Sequence, residues 1–456
     1  MPARNEHGSP DVADPPGPGA QLVAAGDTPT CSTPITVVLE LIERYGDFAR
    51  YRTLYGTFSL VNRPSLVREV LCSSDYVRNR LLTTVLGDGL LSSNGAHWEQ
   101  QRRLMLPTFK PSSIEAMVET FRRVAEGRAA AWSERLGCEP TLDLTRDIYR
   151  IALSNVGQAL FETVFEDRFL DAFDCVIREL AAIQNAAAFG FPLIRRANSA
   201  QMYREALSVV DDAAFSLLSR GQRDGCPHAK LLDVLQSHGG ENGDAQLTRQ
   251  QLRNEIVTMI TAGHETTAAA ICWALHSIAS HPEIAERFHR EVDELLGERA
   301  ITVEDLPRLT YTRMIIDETL RVYPPVWIVA RTAARDMELG GYSVPAGSGV
   351  LVSPFALHRH PEFWSDPERF DPERFSPGAA EPVPYSYFPF LAGRHLCLGK
   401  HFALTEMIVV LVTLAQRYRF YGNGDPVNCE ALVSLRIQGG LKLRLEPRRA
   451  GSNRPC

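Results

Sequence analysis

From Thr248 to Pro282 the chain runs for about thirty residues at 1.5 Å each with no proline and one glycine, Gly263, which predicts a helix roughly 45–50 Å long. Thr248 with Gln251 three positions on is the signature of a reciprocal N-terminal cap. A rod of that length spans a whole domain, so the other elements must be laid around it. Further helical patterns cover His97 to Leu106, stopped by Pro107, and much of Ser112 to Arg220, with a break at Phe189 to Pro192. Helices also read from Pro282 to Leu296, Tyr311 to Val322 and Lys400 to Arg417. Strand character is confined to short stretches: Phe48 to Val61 turning at Gly56, Glu338 to Val344, Gly349 to Ser353, and segments near Val433 and Leu441. The fold class is therefore mainly α with small β-sheets (α+β). We expect a flexible Pro/Gly-rich segment at 1–30 and one domain over 31–456.

Composition excludes several functions. The net charge of −7 lacks the basic footprint that nucleic acid requires, and neither a GxGxxG nor a P-loop pattern occurs. Nine cysteines show no CxxC pair, which argues for a reducing compartment and against a zinc site. No run of about twenty apolar residues and no apolar leader occurs, so the expectation is a cytoplasmic protein without a transmembrane anchor.

Four short patterns carry chemistry. In FLAGRHLCLG, Phe390 to Gly399, Gly393 permits a tight turn, Gly399 leaves space beside Cys397, and the helix from Lys400 begins just beyond. Unpaired N–H groups at a helix start favour a thiolate over a thiol, although a lone cysteine is more often a small buried hydrophobe. AGHETT, Ala262 to Thr267, places Glu265 and Thr266 inside the long apolar helix, where a carboxylate needs a partner; the plain alternative is a threonine bonded back to its own helix and a glutamate at the surface. His264 reads as a packing or hydrogen-bonding residue. Glu318 and Arg321 share a helical face, and DPERF follows twice in tandem at 366–370 and 371–375. Trp98 and Arg102 share another face.

Taken in order, these patterns resemble the cytochrome P450 family, from about Tyr45 to Arg448. The resemblance implies a haem b whose iron is held by the Cys397 thiolate, in a loop built by Phe390, Gly393 and Gly399. It implies propionate donors at Trp98, Arg102, Arg331 and His395, and a Glu318-Arg321-Arg374 network behind the loop, with Arg374 preferred to Arg369. Thr266 would open a groove in the helix, Glu265 would relay protons, and Ala262 with Gly263 would admit dioxygen and substrate. Two positions depart from the pattern: His395 stands where Arg is usual, and Leu391 where a small residue is usual.

The activity so implied is a monooxygenase acting on a small lipophilic substrate in bacterial secondary metabolism. Its electrons would come from a separate ferredoxin or flavodoxin with its reductase, docked near Arg103 and Lys400. Five segments would line its pocket: Leu81 to Leu91, Ala186 to Phe191, Ile260 to Thr267, Pro325 to Val329 and Leu432 to Leu435, with Trp327 stacking on a substrate ring. An isomerase, dehydratase or peroxygenase of the same family, and a non-catalytic haem sensor, are the alternatives; neither requires the Glu265-Thr266 pair.

Overall fold

The computed structural model describes residues 15–18, 33–79, 82–136, 141–193, 198–219, 231–237 and 247–448. Most of the expected flexible segment 1–30 lies outside them, as does Leu81. The long helix runs as three consecutive pieces: α-helix Arg249–Ile260, a π turn Thr261–Glu265, and α-helix Thr266–Ser280. At its start Thr248 Oγ1 accepts from the Gln251 N–H at 3.2 Å while Gln251 Oε1 accepts from the Thr248 N–H at 2.8 Å. At its end the chain leaves helical geometry at His281, and Pro282 opens the next helix, Pro282–Leu295. Ala268, Ile271, Trp273, Leu275 and Ile278 bury the second half of the rod in the main hydrophobic core. Thr145–Phe161, Thr310–Val322 and Lys400–Arg417 pack on this half, and Ser199–Ser219 packs on the first.

One wall of the molecule is a five-stranded sheet in the order Phe48–Thr53, Gly56–Val61, Gly349–Val352, Val329–Ala333, Tyr76–Arg78. Its one parallel pairing joins Gly56–Val61 to Gly349–Val352, strands far apart in sequence. A second small core, including Tyr51, Leu60, Phe189 and Trp327, glues the sheet to the end of the helix Asp167–Phe189. Gly190 ends that helix in the left-handed conformation glycine tolerates, φ 73°.

Several boundaries differ from expectation for local reasons. The first hairpin turns at Leu54-Tyr55, and Gly56 begins the second strand. Pro107 does not end the helical path after Gly95–Met105; it sits in the first turn of a 3₁₀ segment, Leu106–Phe109, where its missing N–H costs nothing. The strand expected near Val433 is Leu435–Ile437, hairpin partner of Cys429–Ala431, and Val433 lies in the turn. Strands Thr141–Asp143, Tyr76–Arg78 and Val329–Ala333 exist through pairing with distant partners, which local pattern does not encode.

Candidate active site

A cavity of about 380 Å³ lies between the π turn and the Cys397 loop. The loop closes on itself where the Cys397 N–H donates to Phe390 O at 2.9 Å. Gly393 has φ +66°, and a Cβ there would meet Leu71 O at 2.6 Å, so both conformation and contact require glycine. A Cβ on Gly399 would stand 4.0 Å from the Cys397 sulfur. Leu391 holds φ +59°, a region a leucine adopts only at a cost.

Cys397 lines the cavity. Burial pushes the thiol above its ordinary pKa, and the Gly399 N–H, Arg102 and Lys400 only partly oppose this. The helix begins at Lys400, so Cys397 lies outside the first turn, where the helix-end effect has faded. A bound cation is what would make the thiolate the stable form.

Around the same end of the cavity the side chains are short of acceptors. Trp98 Nε1, His395 Nδ1 and Arg331 Nε are buried with no partner among the described residues. The Trp98 and His395 rings meet edge-on at 4.3 Å, and the guanidiniums of Arg78 and Arg102 each lie 5.6 Å from the Trp98 ring. Arg102 Nη1 also donates to Leu396 O at 3.0 Å, tying this helix to the cysteine loop. Arg331 is 4% exposed. Burial, with help from Arg331 and Arg102, pushes Arg78 down to about 9. Burial alone takes Arg331 to about 10, and burial with the surrounding arginines takes His395 to about 3. Such a cluster fits two buried carboxylates. The haem propionates are such a pair, and the residues present fit the group.

Arg78 is the member that sequence reasoning missed. It sits opposite Arg331 in the sheet register, a like-charged cross-strand pair that needs an anion. Neither strand was legible beforehand.

Behind the loop, Arg321 and Glu318 are fully buried and paired through two hydrogen bonds of 2.7 and 2.8 Å. Arg321 also donates to the carbonyls of His358, Pro367 and Arg369. Arg374 comes within 3.4 Å of Glu318, whereas Arg369 contributes only its carbonyl. Burial raises the Glu318 pKa, against the pull of Arg321.

Across the cavity, Thr266 Oγ1 donates to Ala262 O at 2.7 Å within the π turn. Ala262 lines the cavity. Gly263 is small for a reason not foreseen: a Cβ would meet Val156 Cγ2 at 2.8 Å, so glycine lets the helix Thr145–Phe161 pack there. Glu265 is buried and bound to Arg436 at 2.6 Å, which excludes the surface alternative. His264 packs edge-on against Tyr149 and Phe173 at 5.4 and 5.3 Å, with neither ring nitrogen partnered among the described residues; burial lowers it to about 4.

The expected lining segments converge, with corrections. Leu82, Leu90, Leu91, Ala187 to Phe189, Pro325 to Val329, Leu432 and Val433 face the cavity. Thr83, Val85 to Gly89, Ala186, Gly190, Phe191, Ile260, His264, Ser434 and Leu435 do not. Trp327 lines the cavity, but its ring already stacks on Phe189 at 6.1 Å and its N–H is held by Leu432 O.

A lone cysteine on one wall, anion-seeking donors beside it and a widened helix opposite define a haem-thiolate site. The sequence profile named Cytochrome P450 matches residues 15–442. The chain is 32% identical over 397 residues to cyclooctat-9-en-7-ol 5-monooxygenase of Streptomyces melanosporofaciens, covering 84% of each. It is 30% identical to leukotriene-B4 omega-hydroxylase 3 of Mus musculus, over 85% of this chain and 80% of that one. In fold it matches the crystal structure of the cytochrome P450DA heme domain with a TM-score of 0.83 at 22% identity, over 96% of this chain and 98% of that chain. The chain belongs to the cytochrome P450 family of haem-thiolate monooxygenases. Its cofactor is haem, with iron bound through the thiolate of Cys397, the cysteine that faces the cavity. Among the described residues no helix is long and apolar enough to cross a membrane.

Proposed function

We propose that this enzyme hydroxylates a neutral, lipophilic, ring-containing small molecule in bacterial secondary metabolism, using dioxygen and two electrons from a separate ferredoxin or flavodoxin with its reductase, in the cytoplasm. The observation that carries the reading is the division of charge in the cavity. Its lining arginines, Arg78, Arg102 and Arg331, gather beside Trp98 and His395, where propionates would use them. That leaves no lining Lys or Arg, among the described residues, to hold a substrate carboxylate on the opposite wall. The remaining surface is mostly apolar, with Leu82, Leu90, Ala188, Phe189, Val329 and Val433 set beside the uncharged Gln184 and Asn185 and the acid Glu265, and it suits a neutral hydrocarbon frame. A relative named for an unsaturated ring alcohol fits this better than one named for a fatty-acid derivative.

In this reading bound haem supplies the activation of dioxygen for insertion into a C–H bond. The protein's residues do the rest. Trp98, Arg102, Arg331 and His395, joined by Arg78, hold the propionates; Phe390, Gly393 and Gly399 shape the loop that presents Cys397. Glu318, Arg321 and Arg374 fix that loop from behind, a buried ionic cluster serving position more than stability. Ala262 leaves room beside the π turn, Thr266 keeps its hydroxyl at the widened turn, and Glu265 is the acid that hands protons to it. Exposed Arg103 and half-buried Lys400 offer an electron donor a basic edge near the cysteine loop.

The test is a titration of the holoenzyme with cyclooctat-9-en-7-ol, related cyclic terpenoids and leukotriene B4, following the spectral shift that accompanies loss of the iron-bound water. Ring compounds are expected to produce it. A shift with the carboxylate alone overturns the substrate class. Electron transfer that is unmoved by salt and by Arg103→Glu overturns the docking edge.

A further inference from the structure

Glu265 is the one acidic side chain on the cavity wall among the described residues, and its carboxylate is already occupied. The groups that occupy it come from the hairpin Cys429–Ala431 and Leu435–Ile437, at the far end of the chain. Arg436 Nε donates to Oε1 at 2.7 Å and Nη2 to Oε2 at 2.6 Å, a fork on both oxygens. The Ser434 hydroxyl donates to Oε1 as well. Arg436 turns its remaining nitrogen, Nη1, to Asp174 Oδ1 at 2.5 Å, and its guanidinium lies 4.8 Å from the Tyr149 ring. Asp174 Oδ2 in turn accepts from Arg178 Nε at 2.9 Å, and Arg178 Nη1 reaches Glu430 Oε1, on the same hairpin, at 2.8 Å.

The turn of that hairpin faces the other way. Leu432 and Val433 line the cavity. Its backbone is pinned by two indoles, with Trp327 Nε1 donating to Leu432 O and Trp273 Nε1 to Leu435 O, each at 2.9 Å. One short element thus touches whatever fills the cavity and also grips the acid. A carboxylate with both oxygens in a guanidinium fork has to loosen that fork before it can pass a proton. Asp174 keeps the guanidinium partnered when this happens, so release does not strand a buried cation.

We propose that Arg436 and Ser434 are positioning residues, holding Glu265 closed until a molecule in the cavity displaces Leu432 and Val433, so that the hairpin couples cavity occupancy to proton delivery. This rests on the reading of Glu265 as the proton-handling acid.

Two measurements on the haem-loaded enzyme test it. Hydrogen exchange across 429–437 is followed with and without clotrimazole, an apolar azole that fills the space above the iron. The amides of Leu435 and Arg436 are expected to change their exchange by about fivefold or more, the scale of a modest coupling between sites. Separately, NAD(P)H oxidation is measured without substrate, driven by a surrogate plant-type ferredoxin and its reductase. Ser434→Ala and Arg436→Gln are expected to raise this leak by about fivefold. Arg436→Lys should restore it toward the wild-type rate, and adding Glu265→Gln should abolish the rise. If Arg436→Gln does not fold, Ser434→Ala carries the test, and the half-exposed Asp174→Asn, which leaves Arg436 with Glu265 as its remaining carboxylate, should lower the leak instead. Hairpin exchange unmoved by clotrimazole, or a leak unmoved in the variants, overturns the hairpin's role. Unchanged coupling of NAD(P)H to product in Glu265→Gln alone overturns the earlier reading of the acid.

Discussion

The two walls of the cavity treat their polar groups in opposite ways. On the Cys397 side, Arg78, Arg102 and Arg331 crowd together while buried N–H groups of Trp98 and Arg331 and a ring nitrogen of His395 have no partner among the described residues. On the Glu265 side, charges alternate in sequence from Glu265 through Arg436, Asp174 and Arg178 to Glu430. The first wall is incomplete as protein and becomes complete with a dianionic ligand. The second is complete as protein and has to be opened to act. Unsatisfied donors therefore mark where a resident cofactor goes, and a closed network marks where timing is controlled.

The largest effect is expected at the incomplete wall. Cys397→Ser should lower turnover by on the order of a thousandfold and remove the red-shifted Soret band of the reduced, CO-bound protein. Haem should still be retained in part, through the propionate donors, and its complete loss would show that the arginine wall holds less than its charge suggests. Arg331→Met sharpens the comparison because two quantities should move in opposite directions. Haem affinity should fall about 10–100-fold, as when a supporting partner of a metal group is lost. The haem-free protein should gain on the order of 1 kcal/mol, since an unpaired buried cation has gone. A fall in both would break the contrast.

Outside the cavity lining, Glu406 is buried on the helix Lys400–Arg417, with Oε1 accepting from Asn155 Nδ2 at 2.8 Å and Oε2 without a partner among the described residues. Burial, opposed only by that hydrogen bond, pushes its pKa up to about 8. The raised value means the folded state holds this proton after the unfolded chain, whose glutamates titrate near 4.3, has lost it. Stability from this group is thus present below about pH 4 and declines as pH rises toward 8. Glu406→Gln should flatten the slope of unfolding free energy against pH in that window by up to about 1.4 kcal/mol per unit, measured by urea denaturation. The smallest effect belongs to Leu391→Gly. Relief of the left-handed backbone, set against the greater freedom of glycine in the unfolded chain, should leave a net gain of about 0.5–1 kcal/mol in the same measurement.

What the sequence revealed depended on distance along the chain. The cap at Thr248-Gln251, the bounds of Lys400–Arg417 and the Glu318-Arg321 pair were readable because their partners lie within four residues or repeat at helical spacing. Arg436 was not, because its partner Glu265 is 171 positions away and nothing around Arg436 announces a charge in need of an acid. Arg78 escaped for a related reason: its meaning comes from strand register with Arg331, in a sheet whose strands are three to six residues long. The place of Leu391 was visible as an irregularity, but only the backbone angle gives it a physical content.

The π turn has a consequence for how this molecule can change. One wide turn inside the long helix takes up one residue more than an α turn, so every side chain from Thr266 to Ser280 is offset by about 100° from the face that Arg249–Ile260 would dictate. Substitution at a single position leaves that offset in place. Deleting one residue between Thr261 and Glu265 would let the wide turn close to an ordinary α turn, with Trp273, Ile271 and Leu275 keeping their places in the core. The groove at the reaction centre therefore depends on the residue count of the helix: a substitution leaves it in place, while the loss of one residue would close it without repacking the second half of the rod.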